Sequence, residues 1–424
     1  MMAAAFGKVY LSLSGEYDLK KGSEGIDAHF LAGGFDMDFN IPEDIGGDAG
    51  NFGRFILTHL KPHLSSWYKG GEVPAEFYRQ MGGDGWLGIQ WKDGGLVKTS
   101  SLREALINEE LAKLSPGVAI AVLAHVNLGL IGLYLFGSDQ LKQRYGRRVA
   151  RGETLMCLGN TENTAGSDVA GISMKAEKVG GGWRLSGTKA YVTNGYFADL
   201  GVVTAVSDPE ATRTRRLSMF LVELNSPNIK RTKLNKQVWI PSDLTRLQFS
   251  DVFVPDDHLL GERGRGLKQV LEVFTWSRLP ISALTLGTAV GAFEMALGRA
   301  RRREIFGKKI VEFQAKTFEF ADFYARMEAA RLMLLKACSV ADAGGDFRQE
   351  SSLAKYLAVQ IAREITPWAA DIFGAASVVF EHPIHKYPLD AWASSLGEGT
   401  QDVQKLVIFR ELMKKYERGE QVDH

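Results

Sequence analysis

Cysteine is nearly missing: Cys157 and Cys338 are the only two in 424 residues. They lie far apart and in no metal-ligand spacing, which excludes a disulfide framework and a zinc site and fits a reducing compartment, taken here as cytoplasmic. Both read as small core residues. An excess of either charge sign is missing too, since 51 Lys and Arg face 50 Asp and Glu. A formal net charge of +1 gives no overall drive toward nucleic acid or an acidic membrane surface. No signal peptide is read, because charged residues soon follow the weak apolar stretch around Lys8 and no small-residue cleavage site closes it. Long apolar runs are scarce. The run Val118 to Phe136 is uncharged and long enough to cross a bilayer, but it is interrupted by glycines and holds His125 and Asn127. It is expected to be a buried helical hairpin rather than an anchor, so neither a membrane span nor a metal site is expected.

What is present is core-forming material. A chain of this length with 45% hydrophobic residues can build two or three domains. Residues 1–40 have no clear period and read as an extension. Residues 41–155 read as helical, with Pro42, Pro74 and Pro116 marking helix starts and Leu102 to Leu111 a charged helix before the apolar run. From 156 to 265 the period shifts toward two. Strands are predicted at Trp183–Leu185, Ala190–Thr193, Val202–Val206, Ser218–Val222 and Leu247–Val254, with a hairpin turn at Gly180–Gly182 and an exposed loop at Ser207–Arg216.

From 266 to 424 the helical period returns. One stripe runs through Phe320, Phe323, Met327, Ala330, Leu334 and Ala337, and another through Leu357, Ile361, Ile365, Trp368 and Ile372. Both read as bundle core. The predicted fold is α+β: an N-terminal helical bundle, a central β-domain and a C-terminal four-helix-type bundle.

Near the end of the chain, Gly397, Glu398, Gly399 and Thr400 precede Gln401, Asp402, Val403 and Gln404. This puts one carboxylate in a glycine-flanked turn just before the last helix. The glycines allow a tight backbone and leave room for a ligand to approach it, so Glu398 is the candidate catalytic base. The competing reading is a surface turn with Glu398 solvated and Thr400 serving only as an N-cap. Likewise Arg299, Arg301, Arg302 and Arg303 are either a solvated helix face or a nucleic-acid patch.

Several motifs in order resemble the acyl-CoA dehydrogenase family of flavoproteins. Thr161 to Asp168 (Thr-Glu-Asn-Thr-Ala-Gly-Ser-Asp) looks like that family's Thr-Glu-Pro-x-Ala-Gly-Ser-Asp signature, with Asn163 where Pro is usual. Gly187 to Gly195 resembles its Gly-x-Lys-x-Trp-Ile-Thr-Asn-Gly strand, with Tyr191 in place of Trp. Phe249 to Pro255 looks like the Phe-x-Asp-Val-x-Val-Pro stretch. Arg303, Phe306 and Gln314 match the Arg-x-x-Phe-Gly element with its later Gln. Gly374 resembles the first glycine of a Gly-Gly-x-Gly loop, although Ala375, Ala376 and Ser377 follow it and Asp371 stands where Gln is common. Leu158, Gly159 and Asn160 replace an aromatic and an aliphatic that relatives place by the flavin ring.

The resemblance implies FAD as cofactor. Asn160, Thr161, Gly166, Ser167, Tyr191 and Thr193 would bind it from the β-domain, with Thr400 and Asp402 near the base. Arg303, Phe306, Gln314 and Gly374 would reach the FAD of a neighbouring subunit, which implies a homotetramer arranged as a dimer of dimers. Ser167 would also touch acyl-CoA phosphate. Arg278 would lie beside base and substrate, and Ser277 leaves the family's other base position without a carboxylate.

The implied reaction is α,β-dehydrogenation of an acyl-CoA thioester to the 2,3-enoyl-CoA. Glu398 would take the α-proton and FAD N5 the β-hydride, with electrons passed to an electron-transfer flavoprotein. Gly397 and Gly399 would admit the substrate to the turn. Gly397 stands where many relatives carry a bulky residue, which points to a branched, cyclic or aromatic acyl group. An acyl-CoA oxidase, an enoyl-CoA reductase and a flavin-binding nucleic-acid-associated relative remain alternatives, as does a membrane or scaffold role built on Val118 to Phe136.

Overall fold

The computed structural model describes residues 43–417. The expected extension over 1–40 and the helix start at Pro42 lie outside them. The first helices are α1 (Glu43–His59), α2 (Leu64–Gly70) and α3 (Ala75–Gly83), the last opening after Pro74 as expected. A hairpin of β1 (Ile89–Lys92) and β2 (Gly95–Lys98) interrupts the helices. Next come α4 (Ser101–Leu114), α5 (Pro116–Phe136) and α6 (Asp139–Ala150). Serine hydroxyls cap all three: Ser100 accepts from Arg103 N–H, Ser115 from Val118 N–H and Ser138 from Leu141 N–H, satisfying donors that a helix start leaves unpaired.

The apolar run is not a hairpin. It is one helical stretch with a π-helical segment over Ala124–Leu130. Its glycines permit close packing rather than a turn: a Cβ on Gly129 would collide with Met156, and one on Gly132 would crowd Val202. Its polar residues are paired inside the fold, apart from the Asn127 side-chain oxygen, which has no partner among the described residues. Met156 N–H donates to His125 Nδ1 at 3.1 Å, His125 Nε2 lies 3.2 Å from the Val149 carbonyl, and Asn127 Nδ2 donates to Glu104 Oε1 at 2.6 Å. Burial holds His125 down at about 4, so it stays neutral as this pairing requires. Among the described residues two helices, Pro116–Phe136 and Gly266–Arg302, are long and apolar enough to cross a membrane, but their apolar windows are 83% and 78% buried inside the fold.

The central sheet has eight strands: β3 (Met156–Gly159), β4 (Lys175–Val179), β5 (Gly182–Thr193), β6 (Leu200–Val206), β7 (Leu217–Glu223), β8 (Ile229–Lys233), β9 (Leu244–Pro255) and β10 (Leu259–Leu260). The order is β10-β7-β6-β4-β5-β9-β8, with β3 pairing parallel to β6. The two strands predicted at Trp183–Leu185 and Ala190–Thr193 are one strand, β5, whose pairing with β9 shifts register between Leu185 and Gly187 and again between Lys189 and Val192. Such irregularities bend a strand and re-aim its side chains, and they split the alternation that period-two reading depends on. The short β3, β4 and β8 have no counterpart among the predicted strands. The turn before β5 and the loop Ser207–Arg216 fall as expected.

The C-terminal helices are α7 (Gly266–Arg302), α8 (Gln314–Asp342), α9 (Arg348–Phe373), α10 (Lys386–Ala393) and α11 (Gln401–Glu417). Between α7 and α8 stands a small hairpin of β11 (Glu304–Ile305) and β12 (Lys308–Lys309). α7 packs along α9 and α4, which threads it through the centre of the molecule. The α8 stripe is buried apart from the half-buried Phe323. The α9 stripe needs one correction: Leu357 is exposed, because the inward face at that turn is set by Ala354, Lys355 and Ala358 instead. Cys157 and Cys338 are buried, and burial pushes both thiols up, so they are inert core residues.

Candidate active site

Glu398 sits in the turn between α10 and α11 with φ 49, a left-handed backbone that a glutamate rarely adopts. Gly399 follows at φ 93. Gly399 takes this conformation freely, but in Glu398 it costs energy, and such strain clusters at functional sites. The turn is held by its carbonyls. Lys355 Nζ on α9 donates to the carbonyls of Gly397 and Gly399, the latter at 2.6 Å. Gln404 Nε2 donates to the carbonyls of Glu398 at 3.1 Å and Gly399 at 2.9 Å. Thr400 caps α11, its hydroxyl accepting from Val403 N–H and its carbonyl from Gln404 N–H. The capping part of the surface-turn reading is therefore right. The solvated part is not, because Glu398 is only 9% exposed.

Arg278 on α7 is 5% exposed, which rules out a surface charge. It feels the Glu398 carboxylate, and its Nε has no hydrogen-bond partner among the described residues. Burial brings its guanidinium down to about 10, with Glu398 pulling the other way. The Glu398 carboxyl is raised above its ordinary range by burial, with Lys355 and then Arg278 opposing the rise. Lys355, fully buried, is lowered by the same desolvation to about 8, while Glu398 favours its charge and Arg278 disfavours it. One carboxyl and two cations thus share a buried site. Ser277 is also buried, its hydroxyl donating to the Phe274 carbonyl, and brings no acid to this site.

The β-domain residues form a second group. Ala190 N–H donates to the Thr161 carbonyl at 2.8 Å, joining the Thr161–Asp168 loop to β5. At the bulge beside it, Tyr191 takes φ 56 and is 60% exposed, with Thr193 half-buried further along the strand. Gly166 and Ser167 are exposed, and Gly166 has open space where a Cβ would be. Beneath this surface Glu162 and Lys189 make a buried ion pair at 2.8 Å. Burial disfavours the Glu162 charge, but Lys189, the Ser173 hydroxyl and the Met174 N–H outweigh it and hold the carboxyl below its usual range. Asn160 is buried; its side-chain oxygen accepts from Thr204 Oγ1 at 2.9 Å and its carbonyl from Lys189. Its acceptor groups are used inside the protein.

Arg303, Phe306, Gln314 and Gly374 form a third, exposed group. Phe306 is 95% exposed at φ 50, in the turn of the β11–β12 hairpin. Gly374 ends α9 with φ 59 and ψ −140, a conformation essentially reserved for glycine. Arg303 follows the end of α7, about 38 Å along the helix axis from Arg278 at ~1.5 Å per residue. These residues are therefore not gathered around Glu398 within one chain. Asp402 is exposed and paired with Lys405 at 3.2 Å. A cavity of about 1150 Å³ lined by Tyr68, Arg299, Arg302, Arg303 and Lys386 among others does not include Glu398.

Two features central to this geometry have no signal in the sequence. Lys355 stands on α9, 42 positions before the first of the two carbonyls it binds, and only the fold brings them together. Lys189 and Glu162 both lie inside the motifs described above, but nothing in the sequence pairs them.

The chain thus joins a helical domain, a β-domain presenting an exposed aromatic and hydroxyl-bearing side chains, and a helical domain holding a buried carboxylate beside an arginine. The chain belongs to the acyl-CoA dehydrogenase family, a family of oxidoreductases: it matches the N-terminal domain over 39–153, the middle domain over 157–252 and the C-terminal domain over 264–413. It is 32% identical over 362 residues to the probable acyl-CoA dehydrogenase YngJ of Bacillus subtilis, covering 85% of this chain and 95% of that one. Butyryl-CoA dehydrogenase from Megasphaera elsdenii superposes with a TM-score of 0.84 at 30% identity, over 89% of this chain and all of that one. Glutaryl-CoA dehydrogenase from Mycobacterium smegmatis, solved in complex with FADH2, gives 0.83 at 26% identity, over 90% and 97% of the two chains.

Proposed function

We propose that this chain is an FAD-dependent acyl-CoA dehydrogenase that converts a thioester to its 2,3-enoyl-CoA, with Glu398 as the base. The observation that carries this reading is the buried, strained Glu398, flanked by glycines and facing the cations Lys355 and Arg278. The α-proton of a thioester is weakly acidic, and a carboxylate raised by burial is better matched to it than a solvated one. Anaerobic reduction of the flavin by acyl-CoA thioesters tests the reading.

The residues present fit FAD. Tyr191 offers an exposed ring, Thr161 and Thr193 hydroxyl-bearing side chains on the same edge, and Gly166 and Ser167 an open approach for a phosphate. Bound FAD supplies the acceptor for the hydride leaving the β-carbon. The chain's own work is to exclude water from Glu398, to keep its carboxyl aimed at the α-carbon, and to stabilise negative charge on the thioester oxygen through backbone N–H groups of the turn. Electrons would leave to an electron-transfer flavoprotein, so substrate-reduced protein should be reoxidised only slowly by air; rapid reoxidation with peroxide would make it an oxidase instead.

Arg303, Phe306, Gln314 and Gly374 would serve a neighbouring subunit's FAD, since about 38 Å of helix separates Arg303 from Arg278 in one chain at ~1.5 Å per residue. An almost fully exposed phenylalanine in a strained turn suits a partner surface. Phe306→Asp is expected to lower oligomer size and flavin content together, read by sedimentation and by flavin absorbance of the purified protein. A fully flavinated tetramer would contradict this.

Gly397 sets the acyl class. A Cβ placed there meets nothing within 4 Å, and this open space next to the base supports a branched, cyclic or aromatic acyl group. Gly397→Tyr is expected to cut kcat/KM for bulky thioesters by about tenfold or more while sparing straight short chains, since filling a pocket discriminates by about 1–3 kcal/mol. Equal loss on both classes would contradict the assignment.

A further inference from the structure

We infer that Lys355 is a positioning residue for catalysis: its ammonium fixes the peptide planes around Glu398 so that the base's own N–H faces the substrate. The inference rests on the reading of Glu398 as the base. Lys355 is fully buried on α9 and donates to two carbonyls, Gly397 and Gly399, which bracket the carboxylate. A trans peptide unit is planar, with its C=O and N–H pointing in opposite directions. The Gly397 carbonyl aims at Lys355, so the N–H of Glu398, in that same peptide unit, points away from it. Gln404 does the same for the next unit by binding the Glu398 carbonyl, which turns the Gly399 N–H outward. A charged donor on a carbonyl also polarises the peptide and makes its N–H a stronger donor. One buried lysine thereby orients the thioester-oxygen site and holds a backbone conformation that Glu398 would not otherwise keep.

The charge acts as well. The groups facing the carboxyl are Arg278 from α7 and Lys355 from α9, both opposing the rise that burial imposes on Glu398. Removing the Lys355 charge leaves Arg278 alone to do this. The Glu398 carboxyl then rises further and becomes ionised only at higher pH.

The test uses flavin-loaded Lys355→Met, Lys355→Gln and Glu398→Gln, with kcat, KM and their pH profiles, and the infrared carbonyl band of a bound thioester analogue that cannot be dehydrogenated. Lys355→Met is expected to lower kcat at least about tenfold with little change in KM, in line with a weakened oxyanion donor, and to move the acid limb of kcat upward. The thioester band should shift toward its position in water. Lys355→Gln, whose amide can still donate to both carbonyls, should recover part of kcat and of the band position but keep the displaced acid limb. If Lys355→Met does not fold, the acid limb and the band of Lys355→Gln decide the matter. Unchanged kcat, acid limb and band in the lysine variants, alongside an inactive Glu398→Gln, would overturn the role of Lys355 and leave the base in place. An active Glu398→Gln would instead overturn the base.

Discussion

Glu398→Gln is expected to keep the fold and the flavin while reducing the flavin with acyl-CoA at least about a hundredfold more slowly, the scale of a lost general base. The substitution is nearly isosteric and leaves the turn's anchors in place, because Lys355 and Gln404 bind backbone carbonyls rather than the carboxylate. The proton acceptor is removed, together with the negative charge that Lys355 and Arg278 face. The wild type carries a matching pH signature. Burial raises the Glu398 carboxyl and the two cations counter this only in part, so the base is protonated, and kcat falls, as pH drops through a value above the ordinary carboxylate range. Stopped-flow reduction across pH checks both statements. A Gln variant as fast as wild type would remove Glu398 from the chemistry.

The largest stability effect is expected at the ion pair under the proposed flavin-binding surface. Lys189→Met should destabilise the protein by about 3–5 kcal/mol, because it strands the Glu162 carboxylate in the interior. The pair is 0% and 5% exposed at its side chains, so solvent cannot replace the missing partner. Glu162 would still accept from Ser173 and Met174, but the Lys189 bond to the Asn160 carbonyl would vanish with it. The whole Thr161–Asp168 loop would loosen, and flavin retention should fall in parallel. Chemical denaturation of Lys189→Met, Glu162→Gln and the double variant checks this, with the double variant expected to lose less than the sum of the singles. Additive losses, or a single loss below about 1 kcal/mol, would show that the pair is not coupled as described.

The layered fold is legible in the sequence because the hydrophobic period changes where the architecture changes. Legibility ends where one geometric event breaks the period. The bulges in β5 divide one strand into two apparent ones, and the glycines of α5 resemble a turn when their function is to let Met156 and Val202 approach. The exposed Leu357 shows the same limit, since an apolar residue at helical spacing need not face inward when small residues and a lysine do. At the candidate site, Glu398 is readable from its glycine-flanked turn and Arg278 only through the family resemblance. Lys355 is not, because a lone lysine on a helix reads as a solvated charge until the fold lays the turn 42 positions later against it. The Lys189–Glu162 pair is hidden for the same reason, being a contact across 27 positions.

The claim that this chain takes a proton and a hydride from an acyl-CoA is tested most directly by titrating the purified flavoprotein without oxygen. The panel should include straight, branched, cyclic and aromatic acyl-CoA thioesters, with the flavin's visible absorbance followed throughout. Stoichiometric bleaching by at least one thioester, with the 2,3-enoyl-CoA recovered as product and the bulkier acyl groups favoured, is the expected result. A flavin-loaded protein that no thioester in the panel bleaches would contradict it.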